Sequence, residues 1–106
     1  FAQDASKVAV GGSSTELVAS KSSGDYSFIM PANITQADID KNIKYYTHYF
    51  DVVFDASSHV AKITMKENTS KNRYVIARFL TACGITYIQV GDDKLEISAF
   101  IENYLK

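Results

Sequence analysis

The apolar residues of this chain switch repeatedly between a period of two and a period near 3.6, and the order of those switches restricts the fold more than any other feature. YSFIM at 26–30 puts Tyr26, Phe28 and Met30 on one face and stops at Pro31, which predicts a strand. Asn33 and Thr35 are candidate helix caps, and Asp38 falls in the first turn, where a carboxylate suits the helix dipole. In ITQADIDKNIKYYTHYF, residues Ile39, Ile43, Tyr46 and Phe50 recur at spacings of four, three and four, which predicts an amphipathic helix with one apolar stripe.

DVVFDASSHVAKITMKEN predicts a hairpin with strands DVVFD and VAKITMK and the turn ASSH. Val60, Ile63 and Met65 supply its apolar side chains, and the phase shift at Ala61–Lys62 predicts a bulge. Ser70 or Asn72 then caps a second helix, NRYVIARFLTAC, whose core face is Val75, Ile76, Phe79, Leu80 and Cys83. Gly84 fits the left-handed position that ends such a helix. ITYIQV at 85–90 is a further strand, Gly91-Asp92-Asp93 a turn, and residues 93–105 a C-terminal helix carrying Leu95, Ile97, Phe100, Ile101, Tyr104 and Leu105.

Residues 1–24 are rich in Ser, Ala and Gly with little periodicity, and predict a flexible leader. KVAV at 7–10 is at most a short edge strand. The non-Met start followed by such a leader points to an exported protein, periplasmic or secreted and of bacterial type; a chain trimmed from a longer cytoplasmic protein gives the same appearance. The compact domain is expected over 25–106. Its order of strand, helix, strand, strand, helix, strand predicts an α+β ferredoxin-like βαββαβ sandwich: a four-stranded antiparallel sheet, two helices on one face, and the appended helix.

Over residues 26–90 the chain resembles the heavy-metal-associated (HMA) domain of copper chaperones and metal-transporting ATPases. In that family the first strand runs into G-M-x-C-x-x-C and helix one. Met30 matches the motif's Met, Ile39 and Ile43 match two apolar helix positions, and FLTACGITYIQV is similar to the family's final helix, glycine and strand. The motif's Gly falls on Ile29 and its two metal cysteines on Ala32 and Thr35. Ala and Thr offer no soft thiolate for copper(I), so the resemblance implies fold and not metal transfer.

Composition removes several functions. Eleven basic residues face twelve acidic ones, with no basic block, so the electrostatic footprint of a nucleic-acid binder is missing. The strand aromatics Tyr26, Phe28, Phe54 and Tyr87 therefore do not predict an RNA platform. No run approaches the ~20 apolar residues of a membrane span. With one cysteine, neither an internal disulfide nor a cysteine zinc cage is available. Cys83 lies on an apolar helix face and is expected to be buried and inert. No nucleophile elbow, zinc-protease or phosphate-loop motif occurs, so no enzyme activity and no cofactor is expected. The sequons NIT at 33–35 and NTS at 68–70 matter only in a eukaryotic secretory route.

KYYTHYF at 44–50 supplies the candidate sites. Tyr46 and Phe50 continue the helix stripe and are expected in the core, whereas Tyr45, His48 and Tyr49 lie on a flank that suits a protein contact patch. His48 and His59 are the only histidines, and with Met30 and Met65 they are the alternative, non-cysteine ligands for a metal. The expected function is a non-enzymatic binding or scaffolding module that acts through protein contacts or self-association, using an open sheet face or edge and the Tyr45, His48 and Tyr49 flank; the alternatives are an HMA-type metal-handling protein with those altered ligands and an enzyme whose site the sequence does not show.

Overall fold

A computed structural model describes residues 7–106. The first six residues, part of the expected leader, lie outside the described range. The elements run β1 (Val8–Gly12), α1 (Ser14–Ser23), β2 (Asp25–Ile29), α2 (Gln36–Ile43), β3 (Phe50–Asp55), β4 (Val60–Met65), α3 (Ser70–Ala82), β5 (Tyr87–Val90), β6 (Asp93–Glu96) and α4 (Ile97–Phe100), which continues as a π-helical segment (Ile101–Leu105).

The fold mixes helices with one six-stranded sheet in the order β3-β4-β2-β1-β5-β6. The expected four-stranded antiparallel sheet is corrected here. A ferredoxin-like sheet pairs its first strand with its last, which would join β2 to β5. Instead β1 lies between them, antiparallel to β2 and parallel to β5. Residues 8–23, read from composition as leader, are thus a strand and a helix, and KVAV opens an interior strand and not an edge one.

Their local chemistry explains this. Ser13 caps α1 by accepting from the Glu16 amide, and the Glu16 carboxylate accepts from the Ser13 amide. This reciprocal box satisfies two N–H groups that a helix start leaves orphaned. Gly24, at φ 82, ends the helix and turns the chain into β2. In β1, Gly11 is buried where a Cβ would stand 3.0 Å from Ile88 Cγ2, so the close approach of β1 to β5 needs a residue without a side chain.

One face of the sheet holds the core. Ala9, Tyr26, Phe28, Phe50, Phe54, Ala61, Ile63, Ile88 and Val90 point inward and are buried. Phe28 meets Phe100 edge-on at 5.9 Å, and Phe50 meets Phe79 of α3 at 5.8 Å. Such T-shaped pairs add about 0.5–1.5 kcal/mol beyond area burial. The alternation in β4 is regular, with Ala61 and Ile63 in and Lys62 and Thr64 out. The register from Phe50↔Met65 to Asp55↔Val60 is unbroken, so the bulge expected at Ala61–Lys62 is absent; Ala61 is the inward residue and Val60 points the other way.

Three boundaries also move. Thr69, neither Ser70 nor Asn72, caps α3 by accepting from the Asn72 amide. Gly84 follows the helix at φ 90, as expected. Residues 93–96 pair with β5 as β6, so the C-terminal helix starts at Ile97 and not at 93. The helix expected through Phe50 stops at Ile43, and the segment after it is a run of turns.

Arg73 is the one buried charged side chain among the described residues. Its Nε donates to the Leu105 carbonyl at 2.8 Å, and its Nη1 donates to Asn68 Oδ1 at 2.7 Å. Asn68 Nδ2 donates onward to the Lys21 and Ser22 carbonyls at 2.8 and 3.2 Å. One network therefore serves the carboxyl ends of α1 and of the π-helical segment, where carbonyls lack helical partners and a cation is favoured.

A chain truncated to begin at Gly24 tests the position of β1. A dispensable leader would leave its melting transition intact. With β1 interior, the truncated chain is expected to lose cooperative thermal unfolding by circular dichroism; retention of a sharp transition within a few degrees of the full chain would contradict it.

Candidate functional site

Over β2, β3 and β4 the second face of the sheet is uncovered, with α1 along its β1 side. Asp25, Ser27, Ile29, Asp51, Val53, Asp55, Lys62 and Thr64 are exposed there. Two of these are large apolar side chains, Ile29 at 49% and Val53 at 67% exposure. Val10 pairs with Ile29, and Ile29 with Val60, so a short apolar row crosses β1, β2 and β4 at the end of this face nearest the β3–β4 turn. A groove of about 550 Å³ lies beside it, against α1, lined by Val10, Gly12, Glu16, Ser20, Ser27 and Ile29 among others. Its ionisable group, Glu16, is engaged in the cap of α1, and the Ser13 hydrogen bonds hold its carboxyl below the usual range.

The sheet has two edges, β3 and β6. The hydrogen-bond phase of β3 follows from its neighbours. The Met65 amide donates to Gly24 and the Met30 amide to His59, so odd-numbered residues of β4 bond β2. The Lys66 amide donates to Tyr49, so even-numbered ones bond β3. In an antiparallel ladder this alternation assigns Asp51, Val53 and Asp55 to β4 and turns the amides and carbonyls of Val52 and Phe54 outward. β3 pairs with no strand but β4 among the described residues, so those groups have no ladder partner. β3 also carries an acidic row on the open face, Asp51 and Asp55 on either side of Val53. Lys66 Nζ lies 3.8 Å from Asp51 Oδ1. Asp55 Oδ1 instead accepts from the Ser57 hydroxyl at 2.7 Å and amide at 3.0 Å, and these donors keep its carboxyl below the usual range.

KYYTHYF leads straight into this edge. It forms successive turns, with the amides of Tyr46 and Tyr49 donating three residues back at 2.8 and 2.9 Å. Tyr46 stacks on Phe50 at 6.2 Å and meets Phe79 edge-on at 5.9 Å, so it belongs to the core, as expected. Tyr45 is 70% exposed, with Lys44 Nζ 5.4 Å from its ring centre, and His48 is also exposed. Tyr49 is half-buried against the core. Of the expected patch, Tyr45 and His48 are open to a partner, and their helical spacing does not exist.

The candidate metal ligands are spread out. His48 precedes β3 and His59 follows it in the hairpin turn, at φ 59, with its ring 5.8 Å from Phe54. A strand of this length separates them by about 17 Å. Met30 is buried and Met65 half-buried. Among the described residues no group of three or more His, Cys, Asp or Glu side chains is placed to hold a metal. No helix among them is long and apolar enough to cross a membrane.

The expected ferredoxin-like order already places DVVFD at a sheet edge, and β3 is an edge strand here; its hydrogen-bond phase, which depends on register with β4, leaves no mark in the sequence. Two further grooves lie between α3 and the C-terminal helix and share Tyr74 and Ile101, with Arg78 over the Tyr74 ring at 5.6 Å.

Cys83 is buried, with Asn42 Nδ2 3.5 Å from its sulfur, and burial pushes the thiol up to about 11. A raised thiol pKa means the folded state favours the neutral form. The stability this gives is present below the ordinary thiol value of 9.0 and is lost as pH rises through about 11. Denaturant midpoints should therefore fall over that interval, and less steeply in Cys83→Ala. A thiol reagent at neutral pH should label Cys83 only after unfolding; rapid labelling of the native chain, or identical alkaline slopes in both proteins, would contradict the burial. Comparison with protein-family models, with curated proteins and with solved structures finds no match for this chain.

Proposed function

We propose that this chain is a non-enzymatic protein-binding module that accepts an extended segment of a partner along the free edge of β3. The supporting observation is the outward phase of Val52 and Phe54, whose backbone donors and acceptors form a ready template for another strand. Main-chain hydrogen bonds would give affinity, and side-chain pockets on alternate residues would give selectivity. Exposed Tyr45 and His48, just ahead of the strand, widen the contact surface. Tyr is a common interface anchor because it has large area and few rotors.

The ferredoxin-like, HMA-like description belongs to the same proposal. The order β2, α2, β3, β4, α3, β5 supports it, with β1 set between the two strands that such a sheet would join. On this view the unit is a scaffold for contacts, and the ligand-poor Ala32 and Thr35 positions have no metal to hold.

A random-peptide display screen against the immobilised chain tests this, with Val52→Pro as the discriminating variant. Proline there removes an outward N–H while leaving the bonds of Asp51, Val53 and Asp55 to β4 in place. Peptides selected on the wild type are expected to lose at least tenfold in affinity for Val52→Pro, with the variant's circular dichroism unchanged. Selected peptides that bind Val52→Pro as tightly as wild type would sink the proposal.

A further inference from the structure

Resting on the edge-strand function just proposed, we infer that the segment β3 accepts is antiparallel and cationic, with the pattern Lys or Arg, apolar, β-branched, apolar, Lys or Arg. The pattern follows from the two rows of β3. Asp51, Val53 and Asp55 face the open side, while Phe50, Val52 and Phe54 face the core layer. Residues directly opposite in an antiparallel pair share a face. The residues opposite Val52 and Phe54 therefore extend the core layer and should be apolar. Those opposite Asp51 and Asp55 stand on the open face beside a carboxylate.

The hydrogen-bond phase sharpens the choice. Because Val52 and Phe54 carry the outward bonds, Asp51, Val53 and Asp55 occupy the non-hydrogen-bonded sites of the new pair, where facing side chains come closest. Opposite charges at such sites stabilise, and like charges destabilise. A second copy of this chain is thereby disfavoured. Antiparallel self-pairing centred on Val53 sets Asp51 against Asp55 twice, and registers centred on Val52 or Phe54 still gather four carboxylates on one face. The two acids do not weigh equally. Lys66 already stands near Asp51, whereas Asp55 has the donors of the Ser57–Ser58 turn and no cation within salt-bridge distance among the described residues. The other edge, β6, offers no such row: it has four residues, Asp93-Lys94-Leu95-Glu96, of mixed charge.

The test uses two fluorescent peptides on the full chain, one centred on Lys-Val-Thr-Val-Lys and one on Glu-Val-Thr-Val-Glu, read by anisotropy at low and high salt. The lysine peptide should bind roughly tenfold tighter, and the advantage should shrink as salt rises. Asp55→Asn keeps the oxygen that accepts from Ser57, so the turn survives while the charge goes. It should cost the lysine peptide roughly fivefold, more than Asp51→Asn does. Equal affinity of the two peptides, or an unchanged ratio in Asp55→Asn, overturns the charge inference. If neither peptide binds while display-selected peptides still depend on Val52, the inference also fails and the edge function stands. Binding that ignores Val52→Pro removes both.

Discussion

The sheet depends on the two ladders along β1. On one side β1 pairs with β2, and on the other with β5, so it is the only join between β3-β4-β2 and β5-β6. Parallel neighbours cannot be linked by a tight turn, and here residues 13–86 separate β1 from β5. The join is made tight by small residues: Ala9 and Gly11 face inward, and a Cβ on Gly11 would also stand 3.6 Å from Leu17 of α1. The Arg73–Asn68 network then ties the carboxyl end of α1 to the loop before α3 and to the C-terminal helix. The first twenty described residues are built into the fold at both ends of α1.

Because every core-facing aromatic lies on one side, the helices pack there and the other face stays in water over β2, β3 and β4. A sheet covered on one side keeps both its edges, and proteins usually blunt edges with short strands or with charge. β6 uses both devices. β3 is longer, and its only protection is the pair Asp51 and Asp55. Charge of one sign repels a copy of itself and attracts the opposite sign. The same two residues that guard against self-pairing thus define what the edge can accept. The turns of KYYTHYF deliver the chain to this edge and spend Tyr46 on the core, leaving Tyr45 and His48 outside.

Much of this was legible in the residues. β2, the β3–β4 hairpin, α3 with its core face and Gly84, and β5 all follow from apolar period and turn chemistry. Thr35 with Asp38 was a correct helix start, confirmed by reciprocal hydrogen bonds at 3.0 and 3.3 Å. α1 was hidden because only Leu17 of its residues is buried, so it has no stripe; the Ser13–Glu16 box in SSTE was the readable signal. The end of α2 was misjudged because Phe50 keeps the helical spacing while belonging to β3. Leu95 similarly imitates a helix position although it pairs with Ile88. Apolar spacing cannot separate a strand from a helix over so few residues, and strand order leaves no local mark at all. The candidate patch was grouped by a helical spacing that ends at Ile43; in the turns that follow, Tyr45 and His48 are exposed and Tyr49 is half-buried.

The most direct measurement is residue-resolved amide hydrogen exchange of the isolated chain by nuclear magnetic resonance. A free β3 edge gives an alternating pattern: slow exchange at Asp51, Val53 and Asp55, fast exchange at Val52 and Phe54, and slow exchange at Ala9 and Val10 in the sheet interior. Uniformly slow exchange from Asp51 to Asp55 would mean that the edge is already occupied, and would contradict a binding function for it.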